Sequence, residues 1–161
     1  MRMLARPYLI PSLLLGLVAF LLDRGQKFLQ LETLGWKGGE IVRVTDFFDY
    51  VLVWNPGVSY GLLGDLPVWV LGLVAGLAIA ALGIWWWRTP DPLVRFGLML
   101  AIGGALSNAL DRLLYGAVAD FFHFHWQDTS FYIFNVADTA ITFGVLLLIL
   151  DFLGIGRKKP A

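Results

Sequence analysis

Two short sequences, GAVADFF at residues 116–122 and FNVADTAI at residues 134–141, lie in the stretch 103–142 that decides the fold. Each sets one aspartate, Asp120 or Asp138, among apolar and aromatic residues, next to segments hydrophobic enough to lie in a bilayer. An isolated carboxylate is costly at membrane depth and normally faces a protein interior or water, where it marks a functional site. Two such aspartates in one small protein suggest a shared function.

The composition indicates a membrane protein. The chain has 161 residues, which suits one domain, and 58% of them are hydrophobic while only 15% are charged. The formal net charge is zero and the basic residues are scattered, so nucleic-acid binding has no electrostatic basis. The absence of cysteine excludes disulfides, thiolate nucleophiles and cysteine-ligated metals.

Four apolar segments predict the fold class, a mainly α-helical membrane protein with four transmembrane helices. The predicted spans are residues 8–23, 66–87, 93–113 and 131–151, all within a single integral membrane domain of residues 1–161. The first segment could also be the core of a secretory signal peptide. However, no small-residue cleavage pattern follows it, so we expect a retained helix.

Basic residues near the span ends predict the orientation. Most of them fall on one side of a four-helix arrangement, namely Arg2, Arg6, Arg88, Arg95, Arg157, Lys158 and Lys159, whereas Arg24, Lys27, Lys37 and Arg43 fall on the other. Both termini are therefore expected in the cytoplasm, with the two aspartates toward the outer leaflet. The helical rise would put Asp138 about 10 Å inward of Phe131.

The outer segment of about residues 40–62 is predicted to be β-rich. Residues 41–54 are rich in β-branched and aromatic side chains, and they lead to an Asn55-Pro56-Gly57 turn signal. Amphipathic rings such as that of Trp54 favour the membrane–water interface. We expect a small extramembrane sheet that rests on the headgroup region.

Polar residues inside the third and fourth spans share helix faces. Asn108, Asp111 and Arg112 stand at i, i+3 and i+4. They could contact a substrate, or Asp111 and Arg112 could neutralise each other while Asn108 bonds across a helix interface, and both roles can coexist. Asn135 and Asp138 also share a face, where small neighbours would let another helix approach, so a packing role stays open for Asp138.

Two carboxylates in a poorly solvated site have a definite chemistry. They cannot both ionise cheaply, so one pKa rises and the pair shares a proton. The charged member can take a proton from an attacking water, while the protonated member polarises a carbonyl and later donates to the leaving amine. This is the mechanism of an aspartic protease, and it needs no cofactor. The proximity of Asp120 and Asp138 is an inference at this stage.

His123 and His125 form an H-x-H pair with Asp120 and Asp128 nearby, a pattern that could ligate a metal. Next to Trp126 at a membrane edge, the two histidines are more simply explained as interfacial residues. We therefore predict no metal and no cofactor.

Three blocks of the sequence, in order and with fitting spacing, resemble the bacterial lipoprotein signal peptidases (signal peptidase II). NPGVSYG at residues 55–61 is similar to the family's Asn-x-Gly-Ala-Ala-Phe-Gly block. GGALSNALDRLLYGAVADF at residues 103–121 is similar to its Gly-Ala-x-x-Asn-x-x-Asp-Arg…Gly-x-Val-x-Asp-Phe block, and FNVADTAI to its Phe-Asn-Val-Ala-Asp-Ser block. The match covers nearly the whole chain.

The resemblance implies a four-helix inner-membrane enzyme with a β-rich periplasmic cradle, which cuts prolipoproteins just before their diacylglyceryl-modified cysteine. It implies that Asp120 and Asp138 are catalytic. It implies substrate-binding or site-supporting roles for a further set of residues, namely Asn55, Gly57, Asn108, Asp111, Arg112, Asn135 and Asp23. From the residues alone, Asp23 is better explained as an interfacial residue or a helix-end partner. The implied partners are lipid-modified precursors, membrane lipid and the inhibitor globomycin, and we expect a monomer.

Some positions depart from the family pattern. Val58-Ser59-Tyr60 stands where the family has Ala-Ala-Phe, and His123 stands where many members have a second acidic residue. The early Asp-Gln-x-x-Lys pattern reads Asp23-Arg24-Gly25-Gln26-Lys27. These departures bear on substrate preference and on the role of the outer end of the first helix.

The rival class is a small channel or transport subunit with Asp111, Asp120 and Asp138 along a polar path. Four spans without an internal repeat or a helix broken in mid-membrane fit a transporter poorly.

Overall fold

The computed structural model describes residues 8–57, 67–127 and 129–155. The helices are α1 (Leu9–Phe28), extended by a π-helical turn over Leu29–Thr33, α2 (Val68–Arg88), α3 (Pro92–Tyr115) and α4 (Val136–Phe152). The strands are β1 (Ile41–Thr45), β2 (Phe48–Asn55), β3 (Val118–Trp126) and β4 (Thr129–Ser130). The mainly helical class and the small sheet are thereby confirmed. Two features of the sequence lie outside the described residues, namely Val58-Ser59-Tyr60 and the basic residues Arg157, Lys158 and Lys159.

In the part of the chain that the structure describes, three helices are long and apolar enough to cross a membrane, namely Leu9–Thr33, Val68–Arg88 and Pro92–Tyr115. Helix α4 has 17 residues and starts at Val136, later than the predicted span. The reason is that residues 131–135 run extended beside β3, where Phe134 exchanges backbone hydrogen bonds of 2.8 and 3.2 Å with Phe122. Asp138 consequently lies in the first turn of α4 and not some turns inside it. The count of four spans stays a prediction.

Helix α3 contacts α1, α2 and α4 and is the centre of the helical part. Small residues let its backbone approach two of these neighbours closely. A Cβ at Gly103 would lie 2.2 Å from the Gly16 carbonyl oxygen of α1, and one at Gly104 would lie 2.4 Å from the Ala137 carbonyl oxygen of α4. Such glycine contacts are the usual means of close helix packing in membranes. They bring the polar residues of the three helices within bonding distance.

The four strands form an antiparallel sheet in the order β1-β2-β3-β4. In the central pair, Asn55 is opposite Val118 and Val53 is opposite Asp120, so the end of β2 lies against the start of β3. The sheet packs on the extension of α1 through buried apolar residues, namely Leu31, Leu52, Ala119 and Phe121. This packing holds Asp120 and Asn55 near the C-terminal end of α1.

Candidate active site

Asp120 lies near the start of β3 and is only 2% exposed. Its Oδ1 accepts a hydrogen bond from Asn135 Nδ2 (2.8 Å) and its Oδ2 accepts one from Asn55 Nδ2 (3.1 Å). Burial, followed by the nearby charge of Asp138, raises the pKa of Asp120 to about 7, although the two amide hydrogen bonds act in the opposite direction. Asp120 can therefore change its protonation state near neutral pH, as an acid–base residue must.

Asp138 is held by the start of α4. Asn135 is the N-cap residue, and its Oδ1 accepts from the Asp138 backbone N–H (2.8 Å), while Asp138 Oδ2 accepts from the Asn135 backbone N–H (3.2 Å). This capping box satisfies two backbone donors at the helix start and orients the carboxylate. Asp138 Oδ1 accepts a further bond from Asn108 Nδ2 of α3 (2.8 Å).

Two asparagines connect the two aspartates. Asn135 Nδ2 donates to Asp120 Oδ1 and lies 3.1 Å from Asn108 Oδ1, and Asn108 in turn donates to Asp138. The network joins β3 with α3 and α4, and within residues 8–57, 67–127 and 129–155 no charged side chain donates a hydrogen bond to either carboxylate. Since amides stabilise negative charge without supplying a proton, the aspartates can share one proton between them.

A cleft of about 270 Å³ opens beside this network. It is lined by Asn55, Ala75, Ala105, Asn108, Arg112, Val118, Asp120, Tyr132, Ile133, Asp138, Ile141 and Thr142. The Arg112 guanidinium donates to the Gly57 carbonyl (2.6 Å) and to the Asn108 carbonyl (3.2 Å). Arg112 thus ties the turn after β2 to α3 at the edge of the cleft. Both predicted catalytic residues and three of the seven predicted supporting residues, Asn55, Asn108 and Arg112, therefore line one cavity.

Asp23 and Asp111 lie beneath the cleft in a buried cluster of charges. Both carboxylates are 0% exposed, and the cations Lys27 and Arg24 of α1 neutralise them. Lys27 Nζ lies 2.8 Å from Asp23 and 2.5 Å from Asp111, and Arg24 also binds Asp111. The two negative charges of the carboxylates are thus balanced by the two positive charges of Lys27 and Arg24. Asp111 is therefore neutralised from α1, and mutual neutralisation with Arg112 is not needed to explain its burial.

This charge cluster supports the network above it. Lys27 Nζ donates to Asn108 Oδ1 (3.1 Å), which fixes the orientation of that amide. Asp23 Oδ1 accepts from the Ala137 backbone N–H (2.9 Å) in the first turn of α4, and Asp111 Oδ2 accepts from the Ala119 backbone N–H (3.2 Å), one residue before Asp120. Asp23 and Asp111 thus position the segments that carry the two aspartates.

Arg24, Lys27 and Ser107 belong to the site but were not predicted. The first two were assigned to the outer segment, because the first span was expected to end at Asp23, whereas α1 continues through Phe28. The spacing of Asp23 and Lys27, i and i+4, was the available signal. Ser107, which donates to Asp23 Oδ2 (2.6 Å), has no distinguishing sequence signal.

The two histidines lie apart from this network. His123 and His125 face Asp49 of β2, with side chains of all three partly buried. Asp120 is bound by the asparagines instead, and Asp128 lies outside the described residues.

Known proteins resemble this chain in sequence and in fold. The sequence model of a family described as signal peptidase (SPase) II matches residues 15–154. A lipoprotein signal peptidase of Beijerinckia indica is 44% identical over 147 residues, which cover 88% of this chain and 88% of that protein. One from Rhodopseudomonas palustris (strain TIE-1) is 43% identical over 149 residues, covering 88% and 91%. A solved structure, described as a bacterial membrane enzyme determined by the in meso method at 2.3 Å resolution, superimposes with a TM-score of 0.84 at 26% identity, covering 96% of this chain and 94% of that one.

Proposed function

The chain belongs to the signal peptidase II family of aspartic peptidases, and from this premise we propose that it cleaves signal peptides from prolipoproteins with Asp120 and Asp138 as its catalytic pair. Its three apolar helices and its family identify it as an inner-membrane protein. The observation that carries the proposal is the network in which Asn135 and Asn108 join the two carboxylates beside a cleft.

The pair holds one proton at rest. Asp138 is the charged member, because it lies in the first turn of α4, where the helix dipole and a backbone N–H favour an anion. Asp120, with its pKa raised to about 7 by burial and by the charge of Asp138, holds the proton.

In the first step, Asp138 takes a proton from a water molecule as the water oxygen bonds to the scissile carbonyl carbon. Asp120 donates its proton to the carbonyl oxygen and so neutralises the developing charge. As the tetrahedral intermediate collapses, the C–N bond breaks and the leaving amine takes the proton held by Asp138. The hydroxyl proton of the intermediate returns to Asp120, which restores the pair. No metal or cofactor takes part.

The cut is made just before the diacylglyceryl-modified cysteine of the precursor. An apolar cleft of about 420 Å³ supports this part of the proposal, because it adjoins the catalytic one and shares Asn55 and Asp120 with it. Its other lining residues are mainly apolar or aromatic, and they include Trp54, Phe131 and Ile133. An acyl chain bound there would bring the peptide bond beside it to the carboxylates.

The protein has four spans, both termini in the cytoplasm and the sheet with the catalytic pair on the periplasmic side. The distribution of arginine and lysine supports this orientation. The chain has no native cysteine, so single-cysteine labelling tests it directly. A membrane-impermeant reagent applied to intact spheroplasts should modify Lys37→Cys and spare Pro90→Cys, both of which are exposed positions. The opposite pattern would refute the orientation.

Cleavage of a lipid-modified precursor by the purified protein tests the catalytic pair. Asp120→Asn and Asp138→Asn should each abolish cleavage, since each keeps the size of the side chain but removes the group that exchanges protons. The double variant should be no worse, because residues that act as one unit are not additive. Asp46→Asn is the matched control, because Asp46 is 94% exposed at the far end of the sheet.

Thermal unfolding in detergent separates lost chemistry from lost structure. We propose that the enzyme acts as a monomer and is inhibited by globomycin, which should raise the Tm of the wild type. Asp120→Asn should unfold cooperatively at a Tm no lower than that of the wild type. Substantial cleavage by either single variant would refute the two-aspartate mechanism while leaving family membership intact.

A further inference from the structure

A second cluster of polar side chains lies on the sheet, outside the catalytic network. Asp49 of β2 is directly opposite His123 of β3, and His125 follows two residues later on the same face of that strand. The three side chains each offer one ligand atom, and these atoms all lie within 4.8 Å of one another. We propose that Asp49, His123 and His125 form a binding site for a divalent transition-metal ion, with Zn²⁺ as the best match.

The distances suit such an ion. His125 Nε2 lies 3.0 Å from Asp49 Oδ2, and His123 Nδ1 lies 3.7 Å from the same oxygen. Ligand atoms about 2 Å from a tetrahedral zinc ion are roughly 3.3 Å apart, so the observed separations bracket the required one. Small side-chain rotations would therefore complete the site, with water in the fourth position.

The hydrogen bonds around His123 leave a lone pair directed at the carboxylate. Ser130 Oγ donates to the Phe131 carbonyl (3.2 Å), so it accepts from His123 Nε2, which lies 2.6 Å away. Nε2 then carries the proton of the neutral ring, and Nδ1 faces Asp49 with its lone pair. The Nδ1 lone pair and the Asp49 carboxylate repel each other, and a cation bound between them would be coordinated by both. Ser130 would be the outer partner that metal-bound histidines usually have.

His125 supplies the second observation. Its Nε2 is buried and makes no hydrogen bond to any residue in the described ranges, although it lies 3.0 Å from Asp49 Oδ2. Its backbone N–H is satisfied by the Phe47 carbonyl (3.0 Å), which fixes the strand at this point. A buried ring nitrogen this close to a carboxylate oxygen, without a hydrogen bond, calls for a partner, and an ion that both atoms bind would supply it.

The donor set narrows the choice of ion. Two imidazoles and one carboxylate suit zinc and its first-row neighbours, whereas Mg²⁺ and Ca²⁺ prefer sets made of oxygen alone. The ion would link β2 to β3, the strands that carry Asn55 and Asp120 at their other ends. Its role is thus structural, and it takes no part in the hydrolysis. We thereby revise the sequence-based prediction of no metal at the two histidines. The H-x-H pair signals only two of the three ligands, because Asp49 is distant in sequence.

Calorimetric titration with Zn²⁺ of the full chain in detergent, carrying a tag without histidine, tests the proposal. The chain has two histidines and no cysteine, so background binding is small. We expect one saturable site per chain. The double variant His123→Ala/His125→Ala should lose it, and Asp49→Asn should bind at least about tenfold more weakly. Asp46→Asn, the exposed acidic control on the same hairpin, should bind like the wild type.

Thermal unfolding gives a readout that is independent of catalysis. Saturating Zn²⁺ should raise the Tm of the wild type and of Asp46→Asn, and it should leave that of the double variant unchanged. Absence of saturable binding to the wild type would overturn the proposal, as would equal affinity in the double variant or equal losses in Asp46→Asn and Asp49→Asn. If the double variant does not fold, Asp49→Asn, which preserves side-chain size, decides the question alone.

Discussion

Replacement of Lys27 by methionine removes one cation from the buried charge cluster while keeping a side chain of similar length. Lys27 is 2% exposed and contacts both Asp23 and Asp111, at 2.8 and 2.5 Å. Without Lys27, Arg24 is the cationic partner of two buried carboxylates. The cluster then carries a net charge of −1 in a site that is closed to water. Removing one member of a buried ion pair costs about 3–5 kcal/mol, and we expect a loss of that size.

The measurement is thermal or denaturant-induced unfolding of the purified protein in one detergent. For a chain of this length the predicted loss corresponds to a fall in Tm of roughly 10 °C. Lys37→Met is the matched control, because Lys37 is exposed, and its effect should stay within about 0.5 kcal/mol.

A second variant tests the charge argument directly. Adding Asp23→Asn to Lys27→Met removes the uncompensated charge, and the new amide can still accept from the Ala137 backbone N–H and contact Ser107. The double variant should therefore be more stable than Lys27→Met. If Lys27→Met unfolds like the wild type, or if the second change lowers stability further, the electrostatic account of the cluster is wrong.

Two further predictions concern packing and pH. Gly103→Ala should destabilise the protein by about 1–3 kcal/mol in the same unfolding assay, because its Cβ would lie 2.2 Å from the Gly16 carbonyl oxygen. The control Gly72→Ala has nothing within 4 Å of the new Cβ and should not destabilise; equal losses in both would contradict the packing argument. The raised pKa of Asp120 makes its contribution to stability greatest below its ordinary pKa of 3.8, and this contribution is lost as the pH rises through about 7. We therefore compare the free energy of unfolding of the wild type with that of Asp120→Asn at each pH. The difference, wild type minus variant, should fall by about 4 kcal/mol between pH 3.8 and about pH 7 and should stay constant above that. A difference that does not change with pH would show that Asp120 ionises normally.

The helices and the sheet were predictable because each depends on a local pattern. Apolar runs of sufficient length predicted α2 and α3, and β-branched and aromatic residues before an Asn-Pro-Gly turn predicted β2. The start of α4 was not predictable in this way. Residues 131–135 are apolar enough for a membrane helix, but they extend along β3, and that choice depends on a hydrogen-bonding partner elsewhere in the chain.

The site shows the same division between local and distant information. The motif blocks singled out Asp120 and Asp138, and helical spacing placed Asn135 beside the second. Neither a motif nor helical spacing could predict the partners of Asp111. Arg24 lies 87 positions earlier and contacts Asp111 only because α1 packs on α3. Lys27 was assigned to the outer segment for a related reason. Its i, i+4 spacing from Asp23 is a local sign that the helix continues, but its burial depends on Asp111 of α3, which is distant in sequence.

The hydrogen bond from the Ala137 backbone N–H to Asp23 joins residues 114 positions apart, one in α1 and one in α4. It means that the reaction centre is completed only when α4, which follows α1, α2 and α3 along the chain, has been synthesised. A nascent chain that has inserted α1 to α3 and formed its sheet already holds Asp120, but it lacks Asp138 and the hydrogen bonds from Asn135 to Asp120 and Asn108. Peptidase activity should therefore begin only once α4 has been synthesised and has packed, so that chains which stop before α4 cannot cut the precursors that enter the membrane beside them.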